Sequence, residues 1–62
     1  DAAGRTPLHL AAANGHVTTV ETLLHNNADP NVRDAEGRTP IVLAEAAGHR
    51  EIVDRLRAAG AK

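Results

Sequence analysis

Apolar residues recur along the chain at helical spacing, in two short blocks separated by polar segments. Within each block they fall three and four residues apart, which places them on one face of an α-helix. The positions are Val20, Leu23 and Leu24 in the first block and Ile52, Val53 and Leu56 in the second. The pattern predicts two amphipathic helices, each burying one apolar face.

A second type of helix precedes each of these blocks. Thr6 is a good N-cap, and Pro7 suits the first helical position, where its missing N–H does no harm. The helix should run to about Asn14, because Gly15 can adopt the left-handed conformation that ends a helix. The later copy repeats these signals, with Thr39 as cap, Pro40 as start and Gly48 as stop. In the first copy Thr18 and Thr19 lead into the second helix. Gly60 ends the second helix of the later copy, and Asn27 stands at the equivalent position of the first.

The whole chain consists of two copies of one unit. The stretch from Asp1 to Pro7 returns as Asp34 to Pro40, an offset of 34 − 1 = 33 residues, and the register continues to the end of the chain. A fixed period of this length is typical of supersecondary units that bury their apolar faces only by stacking. Function is therefore expected on a surface.

The residues of the unit resemble the ankyrin repeat. Its opening reads Asp1-x-x-Gly4-x-Thr6-Pro7-Leu8-His9-x-Ala11-Ala12-x-x-Gly15-His16, and its end reads Leu23-Leu24-x-x-x-Ala28-Asp29-x-Asn31. The period is that of the family. The resemblance implies an all-α ankyrin-repeat solenoid, in which two helix-turn-helix units are joined by a β-hairpin-like finger, residues 29–38. The first unit, 1–33, is of internal type, and the second, 34–62, is of C-terminal-cap type; together they make one domain or part of a longer array.

The second unit carries charge where the first is apolar or small. The replacements are Ala12 by Glu45, Val17 by Arg50, Thr22 by Arg55 and Leu24 by Arg57. A terminal repeat needs such a polar outer face because no further unit covers it. The pairs Arg50–Asp54 and Glu51–Arg55 are spaced for ion pairing along this helix.

The first unit shows no comparable replacement of apolar residues by charged ones. We expect an uncovered apolar face made by Leu8, Leu10, Val17 and Leu24. Upstream ankyrin repeats, or self-association into a homo-oligomer, would cover it.

Composition argues against catalysis and against cofactors. The chain has no serine, no cysteine and no glycine-rich phosphate loop, so we predict that it is not an enzyme and binds neither a metal nor a cofactor. The resemblance gives His9, His16 and His49 structural hydrogen-bonding roles, and His25 should be a surface residue. Because Val42 replaces the histidine in the second Thr-Pro motif, one such link is absent there.

The charge distribution and the composition limit the classes of partner that the chain can bind. Seven basic and eight acidic residues are interspersed, and there are no aromatic residues, so we expect neither nucleic acid nor a membrane as partner. The predicted setting is intracellular, in the cytoplasm. A core of Leu, Ile, Val and Ala alone is thin for 62 residues, and the isolated monomer should be marginally stable.

Two functions are compatible with these features. One is a protein–protein interaction module of scaffold or adaptor type, which binds through the finger tips and the concave helix surface. By the resemblance its contact residues are Ala2, Ala3, Arg5, Asn14, Arg33, Ala35, Glu36, Arg38, Ala46 and Ala47, with Ala13 beside them. The alternative is a structural self-assembly unit that oligomerises through the uncovered apolar face.

Overall fold

The computed structural model describes residues 4–61, which form two similar helical hairpins. The four helices are α1 (Pro7–Asn14), α2 (Val17–His25), α3 (Pro40–Ala47) and α4 (Arg50–Ala58). Every boundary in the first hairpin recurs 33 residues later in the second. The period read from the sequence is therefore also the period of the backbone.

The start of α1 is fixed by a reciprocal cap. The Thr6 hydroxyl accepts from the His9 N–H, while the His9 imidazole accepts from the Thr6 N–H, so two backbone donors are satisfied at once. Pro7 occupies the first turn, as predicted. Gly15 ends the helix at φ 75°, in the left-handed region that glycine enters without steric cost.

The start of α3 lacks this cap. Thr39 has the extended conformation of an N-cap residue, but its side chain makes no capping hydrogen bond, so the expected side-chain cap is wrong here. Val42 stands where α1 has His9 and cannot supply the reciprocal acceptor. Gly48 ends α3 at φ 78°, as the pattern predicted.

The second helix of each unit begins directly after a histidine. His16 and His49 are the N-cap residues, without side-chain capping bonds, and α2 begins at Val17, so that both expected lead-in threonines already lie within it. At the end of the unit Asn27 takes φ 68°, and Gly60 takes φ 104° at the matching position. The expected exchange of Asn for Gly at a left-handed position is confirmed.

The helices form two layers, with the core between them. Helix α1 packs against α2 and α3, and α4 packs against α3 and α2, so α1 and α3 make one layer and α2 and α4 the other. The buried cluster comprises Leu8, Ala11, Ala12, Val20, Ile41, Ala44, Ile52, Val53 and Leu56. As expected, it is aliphatic throughout and contains the predicted inward face of α4.

The connection between the units is a turn, and the expected β-hairpin-like finger is not confirmed. Within residues 4–61 no strand occurs. One pair of backbone bonds closes the loop: the Asp34 N–H donates to the Arg38 carbonyl at 2.9 Å, and the Gly37 N–H donates to the Asp34 carbonyl at 3.0 Å. A lone two-stranded ribbon is marginal in water, and here side-chain bonds hold the loop instead.

The two units are in close contact where His49 lies over Gly15. A Cβ atom at Gly15 would stand 2.9 Å from Cε1 of the His49 imidazole. At the equivalent Gly48 nothing lies within 4 Å of such an atom. The same left-handed glycine is therefore covered in the first unit and open in the second.

Replacing each glycine by alanine separates backbone strain from this contact. Gly48→Ala should cost roughly 1 kcal/mol, because only the left-handed conformation is strained. Gly15→Ala should cost clearly more, because the new methyl group also displaces His49 from the junction. Thermal unfolding followed by circular dichroism at 222 nm compares the two, and equal losses would show that the junction contributes nothing at this point.

Candidate interaction surfaces

His9 joins the two units through a buried imidazole. Its side chain is fully buried, and Nδ1 accepts from the Thr6 N–H at 3.2 Å. Because Nδ1 is an acceptor, Nε2 carries the hydrogen, which it donates to the Arg38 carbonyl at 2.7 Å. The ring thus links the start of α1 to the finger of the following unit, in the structural role expected for it.

Asp34 organises the finger from inside. One carboxylate oxygen, Oδ1, accepts from the backbone N–H groups of Glu36 and Arg38, both at 2.9 Å. The other, Oδ2, lies 3.4 Å from Nε of Arg38 and 3.8 Å from Nε of Arg5. The side chain of Asp34 is inaccessible to solvent, whereas both arginines are partly exposed.

These contacts keep the carboxyl group ionised. The hydrogen bond from the Arg38 N–H lowers the pKa of Asp34, which burial alone would raise; the Glu36 N–H and the charge of Arg38 lower that pKa further. Asp34 thus stabilises the turn through its side chain. The sequence had not indicated that the same carboxylate also ties Arg5 of the first unit to the finger.

The finger arginines consequently differ in what they can offer a partner. The Arg38 guanidinium also contacts Glu36, with Nη2 to Oε1 at 2.9 Å, so Arg38 and Arg5 are both held by internal acidic groups. Arg33 is exposed, and within residues 4–61 it takes part in no ion pair. The outward charge of the finger is therefore concentrated on Arg33, with Arg38 fixed in orientation beside it.

The small residues proposed for contact fall in two groups. Asn14, Ala46 and Ala47, at the ends of α1 and α3, are exposed, as is Ala35 in the finger; Ala13 is partly exposed. Ala2 and Ala3 lie outside the described residues. The structure thus leaves a surface of small side chains at the helix ends accessible.

Comparing burial at equivalent positions shows which face meets the preceding unit in a stack. Leu10 is 39% exposed, whereas Leu43, 33 residues later, is 8% exposed because it lies against the first unit. Three further pairs of equivalent residues behave in the same way: the first-unit residue is exposed or partly exposed, and the second-unit residue is buried. We call the members in the first unit the leading face: Pro7, Leu10, Thr19 and Leu23, whose covered counterparts are Pro40, Leu43, Ile52 and Leu56.

The opposite change marks the face that meets a following unit. Here the first-unit residue is wholly or partly covered and the second-unit residue is exposed. We call the exposed members the trailing face: Val42, Glu45, Arg50 and Arg57, whose counterparts are His9, Ala12, Val17 and Leu24. On this face Nη2 of Arg57 lies 3.5 Å from Oε2 of Glu45.

This comparison corrects the expected uncovered apolar face. Leu8 is 2% exposed and belongs to the core, so it has no surface to offer. Val17 and Leu24 are partly buried and pack against the core cluster. Their charged, exposed counterparts on α4 place them at the junction between the units. Of the four expected residues, only Leu10 lies on the leading face.

An ion pair across the junction was not foreseen. Nη1 of Arg55 lies 3.2 Å from Oε1 of Glu21 in the first unit, and Nη2 lies 2.9 Å from Oε2 of Glu51. The expected pairing of Glu51 with Arg55 is confirmed. The expected pair of Arg50 with Asp54 is not formed within residues 4–61.

Other kinds of site find little support in the described part of the chain. No group of three or more His, Cys, Asp or Glu side chains there could hold a metal ion. None of its helices is long and apolar enough to cross a membrane.

Comparison with known families gives a match over the full sequence. A family model described as ankyrin repeats, three copies, matches residues 1–62. No curated protein is similar enough to the chain to match it.

Removing the His9 imidazole should destabilise the junction between the two units. His9→Ala takes away the bridge to the Arg38 carbonyl and leaves a cavity, for a loss of about 2–4 kcal/mol in unfolding free energy. Urea unfolding monitored by circular dichroism measures the change. His25→Ala, which replaces an exposed histidine at the end of α2, is the matched control and should have almost no effect. Equal losses for both variants would contradict the bridging role.

Asp34 makes stability depend on pH in acid. Its folded pKa lies below the ordinary value of 3.8, so its contribution is fully present above about pH 4 and is lost as pH falls through the folded pKa. Asp34→Asn should therefore lower stability at pH 7 and flatten the acid limb of the stability profile. Glu36→Gln changes a neighbouring exposed carboxylate and should leave that limb in place. An unchanged limb in Asp34→Asn would assign the acid response to other groups.

Proposed function

Because the chain belongs to the ankyrin repeat family, whose repeats are protein–protein interaction modules, we propose that it is a scaffold or adaptor module that binds another protein through its finger and the adjoining helix ends. It carries out no catalysis in this proposal. The units 1–33 and 34–62 act as one domain or as part of a longer array, in an intracellular setting.

The fixed orientation of the finger is the observation that carries this proposal. Asp34 holds the loop by two backbone hydrogen bonds and holds the guanidinium of Arg38 by charge. A loop that is ordered before binding loses less conformational entropy on association. Arg33 is exposed and directly precedes Asp34 in this loop, and arginine is among the residues that most often anchor protein interfaces.

The chemistry of the surface indicates an acidic or polar partner. Arg33 has no internal acidic partner among the described residues, whereas Arg38 retains partial exposure next to Glu36. Around them the contact positions are small: Ala35 in the finger and Asn14, Ala46 and Ala47 at the helix ends. A partner segment carrying carboxylates could approach closely over these residues and pair with Arg33. Ala2, Ala3 and Arg5 extend this proposed surface by their positions in the repeat.

Selection from a random 12-residue peptide library displayed on phage tests which partner chemistry the chain prefers, because many different sequences compete for binding. Selected peptides should be rich in Asp and Glu. The affinity of the best peptide should fall about 10-fold or more in Arg33→Glu, because an attractive charge contact becomes a repulsive one. Fluorescence anisotropy of the labelled peptide measures the change, and circular dichroism checks that helicity is retained.

Arg50→Glu makes the same charge change outside the proposed contact surface, at the start of α4, and should bind the peptide like the wild type. Arg33→Ala combined with Arg38→Ala should remove binding, while the Arg38 carbonyl that accepts from His9 is kept. Peptides without acidic residues, or equal affinities for Arg33→Glu and Arg50→Glu, would overturn the finger as the binding site.

A second function is favoured by the exposure of Leu10. This residue is 39% exposed on the leading face, at a position that is covered in the second unit. We propose as an alternative that the chain is a structural unit that self-assembles through this face. Light scattering with refractive-index detection, suitable for a chain without Trp or Tyr, decides this from the dependence of mass on concentration.

A further inference from the structure

A cavity opens at the trailing face of the second unit. Its volume is about 450 Å³, and the residues that line it include Glu45, Gly48, Val53, Asp54 and Arg57. A Cβ atom built on Gly48 would meet nothing within 4 Å. The left-handed glycine that ends α3 therefore forms part of an accessible depression.

The repeat symmetry identifies what this depression is shaped to receive. Subtracting 33 from the numbers of its lining residues leads to Gly15, Ala12 and Leu24 in the first unit. There the second unit is already seated: His49 lies over Gly15, and Ala12 is fully buried. The cavity is thus the equivalent, in the second unit, of the surface that the second unit covers on the first.

A second copy of the chain carries the matching side chains. His16 occupies in the first unit the position that His49 has in the second, and it is exposed. Leu10 matches Leu43, which is 8% exposed at the existing junction while Leu10 remains 39% exposed. We propose that two copies associate head to tail, with His16 of one copy seated over Gly48 of the other and Leu10 covered at the new junction.

This arrangement rests on the self-assembly proposed above and specifies which surface receives the leading face. The contact is heterologous, because different surfaces of the two copies meet, and it leaves a leading and a trailing face open at the ends. Such a contact does not close at two copies, and mass should continue to rise with concentration.

The charges at the new junction agree with a weak contact. At the existing junction Arg55 pairs with Glu21; the equivalent residues would be Thr22 of one copy and Asp54 of the other, and a hydroxyl can donate to a carboxylate. On the trailing face Glu45 and Arg57 form an ion pair, where the existing junction has small or apolar side chains. Since this pair would lose water on docking, it opposes association and keeps the complex at the weak end of protein interfaces.

Two variants, each blocked on one face, test the arrangement. Leu10→Glu places a charge on the leading face, and Val42→Glu places one on the trailing face, at a side chain that is 43% exposed. Each variant alone should stay monomeric in light scattering at concentrations where the wild type assembles. An equimolar mixture should form a dimer, because the open trailing face of Leu10→Glu accepts the open leading face of Val42→Glu. Ala58→Glu, exposed like its counterpart His25, is the control and should assemble as the wild type does.

The mixture separates failure of this arrangement from failure of self-assembly. If Val42→Glu alone forms a closed dimer while Leu10→Glu does not, two leading faces meet each other; self-assembly then stands, and the head-to-tail contact is overturned. If the wild type stays monomeric at millimolar concentration, both are overturned. Circular dichroism of each variant excludes unfolding as the cause of a lost assembly.

Restoring the missing histidine supplies a gain-of-function test. Val42→His would recreate the reciprocal cap with Thr39 and would place an Nε2 donor facing the Arg5 carbonyl of the second copy, as His9 faces Arg38 at the existing junction. Assembly should tighten about 3- to 10-fold, the effect of one added hydrogen bond. Adding Leu10→Glu should cancel the gain. An unchanged assembly constant for Val42→His would contradict the proposed contact.

Discussion

The hydrogen bond from the His9 imidazole to the Arg38 carbonyl is the contact on which the rest of the structure depends. It crosses 29 residues of sequence at 2.7 Å and is made by a fully buried side chain. The opposite ring nitrogen accepts from the Thr6 N–H, so the cap of α1 also sets the direction in which the imidazole donates. The His9 side chain therefore couples the start of α1 to the position of the next unit, and the cap determines which tautomer the ring adopts.

The finger is built around the acceptor of that bond. Asp34 holds the loop through the N–H groups of Glu36 and Arg38, and the carbonyl of the same Arg38 receives His9. The same Asp34 contacts therefore hold the finger and position the Arg38 carbonyl that accepts from His9. This explains why a surface proposed for partner binding is ordered in a chain whose aliphatic core contains no aromatic side chain.

The two ends of the stack differ for a related reason. The leading face keeps Leu10 and Pro7 open, whereas the trailing face replaces the bridging histidine with Val42 and sets Glu45 against Arg57. A following unit would find the seat over Gly48 present but without the polar bridge that secures the first junction. The two proposals therefore use different parts of the surface: self-assembly uses the leading and trailing faces, and partner binding uses the finger around Arg33.

The sequence by itself determined the repeat, most helix ends and the inward face of α4, because capping, left-handed glycines and apolar spacing act within a few residues. Tertiary structure decided how far Val17 and Leu24 are covered, since their counterparts Arg50 and Arg57 on the trailing face are exposed. Leu8 and its counterpart Ile41 are buried in both units. Tertiary structure also decided that Asp34 is a buried tie to Arg5 and that the finger forms a turn without strands in the described residues. These outcomes depend on contacts about 30 residues apart, and they become predictable only when equivalent positions of the stacked units are compared.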